Sequence, residues 1–289
     1  MFKNTIKTYA FMALLGAFLV VVGGGLTRGR FGGGNNSFVF FLVIAGALNF
    51  VSYWFSDKIV LKMTKSRPVS EQEAPWLYRI VRDLTTKANI PMPRLYVMPA
   101  PQPNAFATGR DPNHAAVAVT EGILSVLSEE ELAGVLAHEI SHVRNRDILI
   151  GAVAATAAAA ITMLARMEMF AGMFGGGGDR RDRGAGGGLL SIILAPIAAV
   201  MIQMAVSRSR EAQADASGAH LLGDATPLAQ ALIKIDAASK RTPALQVNPA
   251  VSHLFLQNPF RGSGFTKLFM SHPPLAQRLE QLRALGARV

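Results

Sequence analysis

Two histidines four residues apart, with a glutamate directly after the first, are the residues of this 289-residue sequence best placed to do chemistry: His138-Glu139-Ile140-Ser141-His142. On a helix, positions i and i+4 share a face, so the imidazoles of His138 and His142 converge on a single ion. Glu139 then reaches a water on that ion without ligating it, the zinc-hydrolase arrangement of two neutral imidazole ligands and a general base. The surrounding sequence predicts the helix. Ser128 followed by Glu131 is a capping box, in which each side chain satisfies an orphan N–H of the first turn. Leu132, Val135, Leu136 and Ile140 recur at helical spacing and supply an apolar face. The plainer alternative is a pair of solvent-facing histidines on an amphipathic helix.

A catalytic zinc needs a third protein ligand and an open position for water. Downstream candidates are Glu168, Glu211, Asp215, His220, His253 and His272. Choosing among them requires the elements that carry them, and those depend on a membrane.

Half of the residues are hydrophobic and only 17% are charged, less charge than a soluble domain carries. Cysteine is absent, which excludes disulfides, cysteine ligands and a cysteine nucleophile. The formal charge is +10, but the basic residues flank apolar runs instead of forming an aromatic-interleaved patch. Anionic lipid and the positive-inside rule account for them, and nucleic acid is not the expected partner.

Residues 8–25 and 37–56 are uncharged runs long enough to cross a bilayer, the second with Tyr53 and Trp54 as interfacial anchors. Lys3 and Lys7 before the first run, and Lys58, Lys62, Lys65 and Arg67 after the second, outweigh Arg28 and Arg30 between them. The N-terminus and the region after residue 57 are therefore expected in the cytoplasm. Residues 148–165 and 189–206 are weaker, Ala-rich runs flanking a glycine-rich loop, and are expected to form a transmembrane hairpin. If both cross, Glu168 lies across the membrane from His138, whereas Glu211 and everything after it return to the same side. Glu211 and Asp215, spaced i and i+4, then face one way. One can ligate while the other accepts an imidazole N–H.

The soluble parts begin at Pro68. Helical periodicity over residues 70–89 precedes strands expected at 94–98, 104–109 and 115–120, the last two joined by a turn at Asp111-Pro112-Asn113. A small antiparallel sheet ahead of the motif helix is expected, with an edge open to an extended peptide. Residues 207–222 read as helix interrupted by Gly218. Thr226-Pro227 reads as a cap and first helical proline, and Ser271-His272-Pro273-Pro274 opens a terminal helix. The fold expected is a mainly α membrane protein, a zincin-like metalloprotease domain on a helical anchor. Its parts are residues 1–67 (two spans), 68–147 (first part of the catalytic domain), 148–206 (hairpin) and 207–289 (second part).

HEISHVRNRD, a hydrophobic hairpin and then SREAQADASGA resemble the HtpX-type membrane zinc metalloproteases, relatives of the CaaX prenyl proteases. The resemblance extends over nearly the whole chain, through NAFATG, the Glu211/Asp215 pair, HLF-x-x-NP at 253–259 and SHPP at 271–274. Arg144-Asn145-Arg146 departs from the smaller residues usual there. The resemblance implies His138, His142 and Glu211 as ligands of one zinc per subunit, Glu139 as base and Asp215 behind a ligand histidine. It also implies Asn104 and His272 at the substrate. The activity implied is cytoplasm-facing endoproteolysis of misfolded or damaged membrane proteins in the bacterial inner membrane. A CaaX-type processing peptidase, a zinc-dependent scaffold and a transporter are the rival readings. Glu139 speaks against the scaffold, and the lack of charges inside the spans speaks against the transporter.

Overall fold

The computed structural model describes residues 36–153, 208–243 and 273–289, with scattered positions before residue 21. Most of the first apolar run lies outside the described residues. So do 154–207 and 244–272, and with them most of the hairpin, Glu168, His253 and His272.

Helix α1 (Asn36–Met63) is longer than the span expected from the sequence. Its segment Val39–Met63 is the one helix among the described residues long and apolar enough to cross a membrane. Those 25 residues extend ~37 Å against a hydrocarbon core of ~30 Å. Val39, Leu42, Val43 and Phe50 are exposed along it, whereas Val60 and Leu61 at its far end are buried. The same helix is thus apolar and exposed at one end and part of the core at the other. Two contacts fix the join. The Arg94 guanidinium pairs with Asp57 at 2.5 Å, and Arg110 stacks 4.6 Å over the Trp54 ring.

Strands β1 (Arg67–Pro68), β2 (Arg94–Met98), β3 (Ala105–Gly109) and β4 (Ala115–Thr120) form one sheet in the order β1-β2-β4-β3. Helix α2 (Pro75–Ala88) lies between β1 and β2 in the chain. The sheet is mixed, which corrects the antiparallel expectation. β3 and β4 are antiparallel, but β4 runs parallel to β2, pairing Leu95 with Val117 and Val97 with Val119. Every residue of β4 is buried, with β2 on one edge, β3 on the other and apolar cores on both faces. Leu95, Val97, Ala105, Ala107, Val117 and Val119 face the main core. Met98, Phe106, Ala116 and Ala118 face Val60 and Leu61 of α1.

A short helix α3 (Glu121–Val126), capped by Thr120, leads into α4 (Glu129–Asn145). Both halves of the Ser128/Glu131 capping box are formed, as the sequence predicts. Helix α5 (Arg208–Leu222) runs without a break through Gly218, contrary to the interruption expected there. Helix α6 (Thr226–Arg241) begins at a different cap from the one expected. Ala225 holds the cap position, while the Thr226 N–H donates to Asp224 at 2.8 Å. The Thr226 hydroxyl instead accepts the Arg288 N–H at 3.1 Å, tying down the C-terminus. Helix α7 (Leu275–Ala284) packs on α5 and α6. Helix α4 lies at the centre, against α2, β3, α5 and α6, and its Leu132, Val135, Leu136, Ile140 and Val143 are fully enclosed in the core.

Candidate metal centre

The i, i+4 spacing on α4 brings the imidazoles of His138 and His142 together, rings perpendicular and Nε2 atoms 3.2 Å apart. Helix α5 delivers Glu211 to the same point. Its carboxylate oxygens lie 3.8 Å from His138 Nε2 and 3.5 Å from His142 Nε2. Close approach of the two helices makes this possible, and Gly218 permits it. A Cβ at that position would meet the His138 backbone nitrogen at 2.9 Å.

The opposite ring nitrogens set the protonation. His138 Nδ1 lies 2.8 Å from Asp215 Oδ1, and His142 Nδ1 lies 3.2 Å from Asp147 Oδ2. An ionised carboxylate only accepts, so each neutral imidazole donates its Nδ1–H outward and turns an Nε2 lone pair inward. Two lone pairs and a carboxylate facing one another repel unless a metal ion, or a proton on one of the rings, lies between them. Ligands on a tetrahedral ion at about 2.0–2.1 Å stand about 3.3–3.4 Å from one another. The observed separations of 3.2, 3.5 and 3.8 Å are close to that.

Charge gives the same answer. Among the described residues, four carboxylates (Glu139, Asp147, Glu211, Asp215) and two guanidiniums (Arg210, Arg278) are buried around the site. They leave two negative charges, which a divalent cation neutralises. Burial by itself lowers the pKa of His142, but Asp147, Glu211 and Glu139 outweigh it and raise the imidazole to about 9. The site draws positive charge. The residues present therefore fit a divalent metal.

Arg278 is the residue that sequence reasoning missed. It comes from α7 and is buried. It holds Asp215 with two hydrogen bonds, Nε to Oδ2 at 2.9 Å and Nη2 to Oδ1 at 2.6 Å. Burial works against its charge, but Asp215, Glu211 and Glu139 more than offset that. Burial likewise raises Asp215, but Arg278 and His138 hold it far below the usual carboxylate range. A signal was present in the sequence. Arg278 falls four residues before Leu282, on the buried stripe of a short helix, where an arginine needs a partner.

Glu139 is buried, within electrostatic reach of both His142 and Arg278. Asn104 is fully buried at the head of β3, and its backbone is clamped by Thr120, which accepts the Asn104 N–H at 2.8 Å. His220, a sequence candidate, is exposed on α5 and is not in the cluster that His138, His142 and Glu211 form.

A "Protease HtpX homolog" of Pelotomaculum thermopropionicum is 50% identical over 286 residues, covering 98% of this chain and 99% of that one. A protein of the same description from Thermococcus kodakarensis is 48% identical over 283 residues, covering 97% and 96%. Among solved structures, S. mikatae Ste24p is similar in fold, with a TM-score of 0.50 at 18% identity, over 97% of this chain and 66% of that one. The profile of Peptidase family M48 matches residues 71–286, and with relatives half-identical along almost its full length this chain belongs to that family and is a metalloprotease.

Proposed function

We propose that this protein is a zinc endopeptidase of the bacterial inner membrane that cleaves misfolded or damaged membrane proteins at a cytoplasm-facing site. The observation that carries this reading is the convergence of two Nε2 lone pairs and the Glu211 carboxylate beside a buried Glu139. Zinc suits a set of two imidazoles and a carboxylate in a cysteine-free chain. His138, His142 and Glu211 hold the ion. When bound, it lowers the pKa of a water towards about 7 and polarises the scissile carbonyl.

Glu139 takes the proton of the attacking water and passes it to the leaving amine nitrogen. Asp215 keeps the His138 proton on Nδ1. Asn104 or, by the family resemblance, His272 donates to the developing oxyanion, a type of contact worth about 2.7–4 kcal/mol in the transition state. The substrate lies extended along β3, which among the described strands pairs only with β4. Membrane-protein substrates are supported by α1, one continuous helix from the apolar segment into the sheet.

The test is proteolysis of a membrane-protein substrate by the purified, zinc-reconstituted protein beside Glu139→Gln. The variant keeps its zinc and loses about 10²–10⁴ in rate. Near-normal turnover with the metal in place would refute the assignment of Glu139.

A further inference from the structure

The turn that ends α4 returns a carboxylate to the histidine it has just left behind. Arg146 adopts a left-handed backbone with φ 59°. Its N–H donates to Val143 O at 3.1 Å, and the Asp147 N–H donates to His142 O at 3.0 Å. This cap folds the chain back along the last helical turn. The buried Asp147 side chain therefore lies against His142, with Oδ2 3.2 Å from Nδ1. The other ring nitrogen, Nε2, is the one that faces His138 and Glu211.

Arg210, next in the chain to Glu211, is buried within electrostatic reach of both Asp147 and Glu211. Asp147 thus stands where the end of α4 meets the start of α5. These are the two ligand-bearing segments, and residues 148–207 separate them in the chain. His138 has a close counterpart in Asp215, itself gripped by Arg278. His142, at the outer end of the pair with 14% of its side chain exposed, has Asp147.

We propose that Asp147 is a positioning residue of the metal centre, holding His142 with its proton on Nδ1 and its ring turned so that Nε2 points at Glu211. The inference rests on reading His138, His142 and Glu211 as metal ligands. Asp147 touches neither metal nor substrate and acts only through His142. A carboxylate or amide oxygen at this position accepts the Nδ1–H, whereas a methyl group leaves the ring free to turn and to exchange tautomers.

The test uses the full-length protein in detergent micelles, freed of metal and titrated with zinc against a chromophoric chelator. The wild type takes up one equivalent. Asp147→Ala weakens zinc binding by about 10–100-fold, the size usual for losing such a partner. Asp147→Asn, whose amide oxygen still accepts the N–H, loses clearly less. Visible bands of the Co²⁺-loaded protein shift in the alanine variant and stay close to wild type in the asparagine one. His142→Ala sets the floor, and Glu130→Ala, exposed on the first turn of α4, leaves affinity unchanged.

Two results would overturn the proposal: wild-type affinity in Asp147→Ala, and equal losses in the two Asp147 variants. The first, joined to a lowered unfolding midpoint of the metal-free alanine variant, would make Asp147 a helix cap and nothing more. Failure of the wild type to bind zinc would sink the metal-centre reading itself, a result distinct from the other two.

Discussion

Gly218 of α5 packs against the backbone of His138, and a Cβ there would come within 2.9 Å of the His138 nitrogen and 3.1 Å of the Ala137 carbonyl carbon. Neither atom is the end of a flexible side chain, so a larger residue must push the helices apart. In an exposed helix, Gly→Ala gains up to about 1 kcal/mol from propensity. Here overpacking costs about 1–3 kcal/mol and reverses the sign. Gly218→Ala is expected to unfold at lower temperature than the wild type and to bind zinc more weakly, since Glu211 moves with α5. A raised midpoint with unchanged affinity would show that the helices can slide apart freely.

Arg278 and Asp215 form a buried pair in which each satisfies the other. Arg278→Met strands the Asp215 carboxylate beside His138 and is expected to destabilise the fold by about 3–5 kcal/mol. The double variant Arg278→Met/Asp215→Asn removes the stranded charge and recovers part of that loss. Denaturant unfolding of the metal-free proteins measures both. Losses that simply add would mean the two residues do not act as a pair.

Glu131 closes the α4 capping box and binds Lys234 of α6 at 2.7 Å. Burial pushes its carboxyl up, but the Lys234 ammonium and the Ser128 N–H prevail and hold it below its ordinary 4.5. A depressed folded-state pKa means stability that is fully present above the unfolded value and lost as pH falls through the folded one. The stability difference between wild type and Glu131→Gln is therefore expected to be constant above about pH 5 and to shrink progressively below it. Thermal unfolding with chelator present keeps acid release of metal from entering the comparison. A difference that grows on acidification would contradict the sign.

Topology of the hairpin is open to direct labelling, because the chain has no native cysteine. Glu211 meets His138, so either both runs, 148–165 and 189–206, cross the bilayer or neither does. With two crossings, a cysteine at position 177 (Gly177→Cys) reacts with a membrane-impermeant maleimide in intact spheroplasts. Labelling only after lysis would mean that the hairpin does not cross. The metal centre is compatible with either outcome.

What the sequence determined by itself is whatever neighbouring residues decide among themselves. Ser128 and Glu131 cap α4 within one turn, the period from Leu132 to Ile140 turns one face inward, and the i, i+4 rule then places His138 beside His142. The strands at 94–98 and 115–120 were legible for the same reason, through the Leu-Tyr-Val run of the first and the alternating β-branched residues of the second. For the third ligand, the membrane-parity argument narrowed the candidates to Glu211 and later residues, i, i+4 spacing put Glu211 and Asp215 on one face, and the family resemblance alone assigned their roles. Tertiary structure alone decided which strands pair and which distant groups compensate buried charge. β4 lies between β2 and β3, parallel to one and antiparallel to the other, which its alternation of alanine and valine does not reveal. Arg278 meets Asp215 across 63 positions and His138 across 140, and Gly218 serves helix contact instead of interrupting the helix. Periodicity reports which way a side chain faces. It takes the packed chain to show what that side chain meets, because in the interior each buried charge needs a partner, and each close backbone approach an absent side chain, contributed from elsewhere in the fold.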